Sequence, residues 1–174
     1  RHGLLGRMGL RPLIVVPTVL EEQATGESPE DVALRLSLEK GVAVAAERPD
    51  DIVVAADTIV VIDGVVLGKP VDAADAARML RCLRNRAHLV YSGLAIVHRA
   101  LDVRCQQLAA TTVVMADYGD ADIAAYVASG DPLDKAGAYA IQASNLNPVL
   151  RYEGCYANVV GLPMCHLYRC LSAL

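Results

Sequence analysis

Asp57 stands inside the run "VVAADTIVVIDGVVLGKP" (53–70), where nearly every neighbour is apolar and β-branched, and Lys69 follows just beyond it. An ionised carboxylate in such a run is costly unless it is paired, hydrogen-bonded or bound to a cation. Other polar residues stand in comparable settings. Glu21 and Glu22 end the apolar stretch "LIVVPTVLEE", Lys40 lies in a helical segment, and "DPLDKAGAYAIQ" (131–142) carries Lys135 and an apolar-flanked Gln142. Carboxylates with lysines, and no activated Ser or Cys, suit metal-assisted hydrolysis of a phosphate ester or anhydride. The acids hold Mg²⁺ or Mn²⁺ and orient a water, while the cationic side chains neutralise phosphate oxygens. Each residue also has a plain structural reading. Glu21 and Glu22 could be a solvated strand end, Lys135 a loop salt bridge and Gln142 a satisfied amide at a strand end. Asp57 could be a structural Asp bonded to backbone, a weaker reading because Thr58 and Lys69 accompany it. Walker, dinucleotide, nucleophile-elbow and His-Glu-x-x-His motifs are absent.

Of 16 basic residues only Lys40, Lys69 and Lys135 are lysine; the rest are arginine. A compact ammonium suits phosphate as a point charge, whereas guanidinium is a planar fork. A formal charge of −4 with no basic stripe argues against a general nucleic-acid grip, and the lack of Trp and Phe against a base-stacking platform. No stretch approaches the roughly 18 uncharged apolar residues of a membrane span, and Arg1-His2 opens no secretory pattern. The chain therefore reads as soluble and cytoplasmic. Its five Cys form no Cys-x-x-Cys pair and read as buried, reduced thiols, and its four His lack metal-ligand spacing and read as surface or supporting residues.

Elements that could position these side chains alternate along the chain. Ser28-Pro29-Glu30-Asp31 opens a helix to about Glu47 with Val32, Leu36, Lys40 and Val44 on one side. A hairpin turning at Asp63-Gly64 follows. Asp72 caps a helix through about Leu83, with Ala76, Met79, Leu80 and Leu83 inward. Segments 89–98 and 108–116 read as neighbouring strands, Asp120 caps a short helix ending at Gly130-Asp131-Pro132, and Pro163 opens the last helix. The prediction is one α/β domain over 1–174, with a mixed twisted sheet and flanking helices.

Two segments, "AADTIVVIDGVVLGKP" and "PLDKAGAYAIQ", resemble the Maf family of nucleoside triphosphate pyrophosphatases, and the likeness runs from "R..LL...GL" at Arg1–Leu10 to "NVVGLP" at Asn158–Pro163. The resemblance implies a Maf/ITPase-like fold of two lobes around a central cleft. It implies hydrolysis of dTTP and UTP to monophosphate plus pyrophosphate with a divalent cation, as house-cleaning of nucleotide pools. Asp57 matches the proton-accepting acid, and Glu22, or the adjoining Glu21, the acid associated with the metal. Metal ligands would then come from Glu22, Glu21 and Asp57. Lys40, Lys69 and Lys135 match phosphate-contacting or cleft lysines, with Lys69 in the catalytic set. Arg1, Thr58 and Gln142 match residues marking the dTTP/UTP branch, since a hydroxyl and an amide offer a pyrimidine edge both donor and acceptor.

There are departures from the family pattern. The family's opening strand and most of its "S-x-S-P-R-R" loop precede Arg1 and are missing from this sequence, Asn85 replaces a usual Gly, and Ala140 and Ala143 stand where Gly is common. The alternative readings are a pyrophosphatase for a modified nucleotide and a regulatory protein of cell division. The expected partner is the nucleoside triphosphate, with no nucleic acid or membrane and a homodimer left open. One geometric expectation follows from the hairpin. A plain two-residue turn with unbroken pairing would set Thr58 opposite Lys69 and send Asp57 to the other face. A site containing both Asp57 and Lys69 thus requires a bulged turn or a strand that stops by Gly68.

Overall fold

A computed structural model describes residues 2–21 and 23–172, and only the backbone of His2 and Arg7. Arg1 and Glu22, both assigned roles above, lie outside the described residues. The elements are α1 (His2–Arg7), α2 (Pro29–Glu47), β1 (Val53–Ile62), β2 (Val65–Leu67), α3 (Ala73–Leu83), β3 (Ala87–His98), β4 (Val103–Met115), α4 (Asp120–Ala128), β5 (Val149–Glu153), α5 (Tyr156–Val160) and α6 (Met164–Ser172). The strands form one sheet in the order β2-β1-β3-β4-β5, and both edge strands run antiparallel to their neighbours. The α/β class and the flanking helices are as predicted. The chain divides into two compact units. One holds the N-terminal segment to Thr58, Tyr91–Ala109 and the chain from Ala157; the other holds Ile59–Val90 and Ala110–Tyr156.

In the first unit, α2 forms where its N-terminal signals place it. The Ser28 hydroxyl accepts from the Asp31 backbone N–H at 3.2 Å, and Val32, Leu36 and Val44 are buried. Two glycines let the helix lie close to the sheet. A Cβ on Gly93 of β3 would sit 2.0 Å from the Ala33 carbonyl oxygen of α2, and one on Gly41 would sit 3.1 Å from Val97. At Gly93 only a residue without a side chain permits that approach, whereas at Gly41 a Cβ would be a tight fit. On the other face, Ala56 of β1 packs in a cluster with Leu94, Ile96, Leu162, Leu167 and Cys170. There Pro163 opens α6 by accepting from the Leu167 N–H at 3.0 Å.

In the second unit, α3 carries the buried residues foreseen, Ala76, Met79, Leu80 and Leu83. Asp72 caps it, accepting from the Asp75 N–H at 2.8 Å. Helix α4 starts differently from the prediction. Gly119 is its N-cap, and Asp122 accepts from the Gly119 N–H at 2.8 Å, so Asp120 is the first helical residue. Asn85 adopts φ 54°, which explains how it replaces glycine, since a short polar side chain tolerates the left-handed region.

The hairpin settles the turn geometry. Ile62 pairs with Val65, Val61 with Val66 and Val60 with Leu67, so the turn is a regular two-residue one. Asp63 and Gly64 both have positive φ, 52° and 77°, as a type I′ turn requires. There is no bulge; the other expected solution holds, because β2 ends at Leu67 and no pairing reaches Lys69.

The reading of the cysteines needs correction. Cys105 of β4 and Cys170 of α6 form a disulfide, so these two are not reduced thiols; Cys82, Cys155 and Cys165 are free. The pair is 65 residues apart in sequence, a separation at which spacing carries no pairing signal. Of the two readings of the histidines, His88 takes the supporting one: it is buried, its Nε2 lies 2.8 Å from the Tyr139 hydroxyl, and its Nδ1 has no partner.

Burial pulls the His88 pKa down to about 4. The unfolded chain binds a proton near pH 6.5 where the folded one does not, so stability present at neutral pH is lost as pH falls from about 6.5 towards 4. The expected loss is roughly 3 kcal/mol. Urea unfolding at a series of pH values would check this, with His88→Gln showing a shallower acid dependence. Equal slopes for the two proteins would remove His88 as the cause.

Candidate active site

The site is assembled first from α2 and β1. Asp57 is buried, 7% exposed, and its Oδ1 accepts from Lys40 Nζ at 2.5 Å. The same ammonium donates to Glu21 Oε1, also at 2.5 Å. Lys40 thus joins two carboxylates 36 residues apart in the chain, one on a central strand and one on an irregular segment. Burial works to lower the Lys40 pKa, but hydrogen bonds to Asp57 and Glu21 outweigh it and hold it above the ordinary lysine value. The cost of a carboxylate within β1 is offset, in this structure, by Lys40 rather than Lys69.

Of the two adjoining glutamates Glu21 is the described one, and it joins this cluster. It was the second choice of two adjoining glutamates, and sequence pattern alone did not separate them. The segment leading to it forms no strand, and Leu13, Ile14, Val16 and Leu20 are exposed.

Thr58 points away from Asp57. Gly93 faces α2, so the adjacent Ser92 faces the opposite side of the sheet. The Ser92 hydroxyl lies 2.7 Å from that of Thr58, and it donates to the Asn158 carbonyl at 3.3 Å. Ser92 was not singled out from the sequence, because serine in a strand carries no signal of its own.

In the second unit, the "DKAGAYAIQ" motif folds against the end of the hairpin. Gly137 donates its N–H to the Gly68 carbonyl at 3.0 Å, which seats the loop carrying Lys135 beside the residue preceding Lys69. A Cβ on Gly137 would lie 3.0–3.1 Å from Val60, and its φ is 67°, so this motif position suits glycine for two reasons. Lys135 Nζ donates to the Asp131 carbonyl at 2.5 Å, Asp131 Oδ1 at 3.1 Å and Asp134 Oδ1 at 2.8 Å. The loop salt bridge therefore exists. The Asp134 carboxyl is held below its usual range, chiefly by the Lys135 hydrogen bond, with a smaller contribution from the charge of Lys69. Asp131 and Asp134 were legible as partners, four and one residues before Lys135, but were not singled out. Lys69 is exposed, and Gln142 is exposed in a turn rather than at a strand end.

The donor chemistry near Asp57 fits a hard divalent cation, because Asp57 and Glu21 supply carboxylate oxygens. Among the described residues no group of three or more His, Cys, Asp or Glu could hold a metal ion. Such an ion would take the rest of its shell from water and phosphate oxygens, as Mg²⁺ commonly does. No described helix is long and apolar enough to cross a membrane.

The family model described as "Maf-like protein" matches residues 1–174. This chain belongs to the Maf family. Among curated relatives, the Maf chain is 46% identical over 167 residues to the dTTP/UTP pyrophosphatase of Geobacter sulfurreducens, spanning 96% of this chain and 87% of that protein. It is 48% identical to the protein of that name from Anaeromyxobacter dehalogenans, over 94% of this chain and 84% of that one. For Dictyoglomus turgidum the identity is 42%, over 97% of this chain and 88% of the relative. The buried Asp57, and the Gly68–Gly137 contact beside Lys69 and Lys135, thus lie in the segments that carried the family resemblance.

Proposed function

We propose that this Maf protein hydrolyses dTTP and UTP to the nucleoside monophosphate and pyrophosphate, acting on the cytoplasmic nucleotide pool. The observation carrying the reading is the buried Asp57, held by Lys40 with Glu21, in a chain 42–48% identical to relatives named for that reaction. Asp57 takes a proton from the attacking water, whose oxygen bonds to the α-phosphorus as the bond to the bridging oxygen breaks and pyrophosphate departs. Lys40 orients the Asp57 carboxylate through its 2.5 Å hydrogen bond. Lys69 and Lys135 neutralise phosphate oxygens, Lys135 exchanging its contacts with Asp131 and Asp134 for the substrate. A divalent cation, Mg²⁺ or Mn²⁺, held by Glu21 and Asp57 with Glu22 adjoining, supplies Lewis-acid polarisation of phosphate oxygens when bound. Arg1, Thr58 and Gln142 serve pyrimidine selection. Gln142 has an exposed amide for the task, while the Thr58 hydroxyl is already engaged by Ser92.

Pyrophosphate release measured over a panel of nucleoside triphosphates, with Mg²⁺ and with Mn²⁺, tests the proposal. The expected result is preference for dTTP and UTP. Gln142→Ala should weaken turnover of these two by a factor equivalent to about 1–3 kcal/mol, with purine triphosphates little changed. Equal proportional loss on every nucleotide would mean that Gln142 does not read the base.

A further inference from the structure

The Thr58 hydroxyl ends a short chain of hydrogen bonds whose direction is fixed from its buried end. The backbone carbonyl of Asn158, at the centre of α5, can only accept, and it takes the proton of the Ser92 hydroxyl at 3.3 Å. Ser92 is fully buried and has one proton to give. Its oxygen lies 2.7 Å from Thr58 Oγ1, so in that pair Thr58 must be the donor. Thr58 has then spent its own proton, and its half-buried oxygen offers a ligand lone pairs alone. Access comes from the edge of the sheet. Strand β2 covers the outer side of β1 only from Val60 to Ile62, and among the described residues no strand stands beside Asp57 and Thr58 there.

We propose that Ser92 is a positioning residue for base selection: by holding Thr58 as an acceptor, it makes the site select pyrimidines protonated at N3, uracil and thymine, over cytosine. The inference rests on the base-reading role proposed above for Thr58 and deepens it. Uracil and thymine carry an N3–H, which donates to Thr58 Oγ1. Cytosine has a lone pair on N3, and its donor, the amino group, stands one ring position away. In the same pose two lone pairs therefore face each other, and a buried polar group left unmatched is penalised. A threonine hydroxyl alone would not discriminate, because it can rotate to donate to the cytosine N3 or to accept from an N3–H. The Ser92–Asn158 hydrogen bond removes that freedom. The two faces of β1 divide the work across its open edge, with Asp57 on the side of the phosphates and Thr58 on the side of the base.

Pyrophosphate release from UTP and CTP, and from dTTP and dCTP, by the intact protein with Mg²⁺ tests this as ratios of kcat/KM. Ser92→Ala leaves Thr58 free to donate, so the UTP/CTP and dTTP/dCTP ratios should fall about tenfold, with CTP and dCTP hydrolysed faster than by the parent. Ser92→Cys, close in shape but a weak donor, should move the ratios the same way. Thr58→Val removes the hydroxyl and should abolish the preference, and adding Ser92→Ala to it should change the ratios no further. Urea unfolding verifies that each variant is folded. A parent that hydrolyses CTP as well as UTP would overturn the proposal. Parental ratios in Ser92→Ala with lost ratios in Thr58→Val would overturn it and leave the base-reading role of Thr58 standing. Parental ratios in Thr58→Val would overturn that role and the proposal with it. Equal slowing of all four nucleotides by Ser92→Ala would also overturn it, by showing that Ser92 only supports the fold.

Discussion

Asp57→Asn is expected to abolish turnover of dTTP and UTP while leaving the protein folded. The amide keeps the shape and can still accept the Lys40 hydrogen bond through its oxygen, so the packing around β1 persists. What it loses is the capacity to take a proton from water, and removing a positioned general base costs roughly 10²–10⁴-fold in rate. Single-turnover rates on dTTP, with unfolding curves for both proteins, separate chemistry from stability. A folded variant with near-parental turnover would remove Asp57 from the chemical step.

Lys40→Met should instead damage stability and activity together. Lys40 is the cation that Asp57 and Glu21 share, and its side chain and that of Asp57 are only 16% and 10% exposed. Methionine keeps an unbranched chain of similar reach but leaves the Asp57 carboxylate buried with no cation. Breaking such a pair by removing one partner costs roughly 3 kcal/mol. The cost belongs to the orphaned charge, so Lys40→Met/Asp57→Asn should recover much of the stability lost in Lys40→Met and none of the activity. Denaturant unfolding of the four proteins completes the cycle. Additive losses would show that the two side chains do not support one another.

The helices were readable because their signals are local. Ser28-Pro29 and Asp72 mark starts that the structure reproduces, and the inward residues of α3 follow from its spacing. Strand β5 was not read, because a short edge strand exposed on both faces has no alternation of burial to reveal it. Helix α5, five residues long, likewise carries too little pattern. The start of α4 was misplaced by one residue because Gly119 caps it through its backbone, with Asp122 accepting, and no side chain announces that arrangement.

For the site, the sequence by itself determined which residue types were anomalous: an acid among β-branched neighbours, three lysines in an arginine-rich chain, and a turn placed at Asp63-Gly64. Those are statements about one residue and its near neighbours, where propensity and desolvation decide. Tertiary structure decided the partners. It gave Asp57 to Lys40, joined Glu21 to the same ammonium, sent Thr58 to Ser92 on the opposite face, and joined Cys105 to Cys170. Each of these contacts closes a loop of 17 to 65 residues. Such closures are set by how closely α2 can lie on β3 at Gly93 and how the face beneath Ala56 packs, neither of which a local pattern encodes.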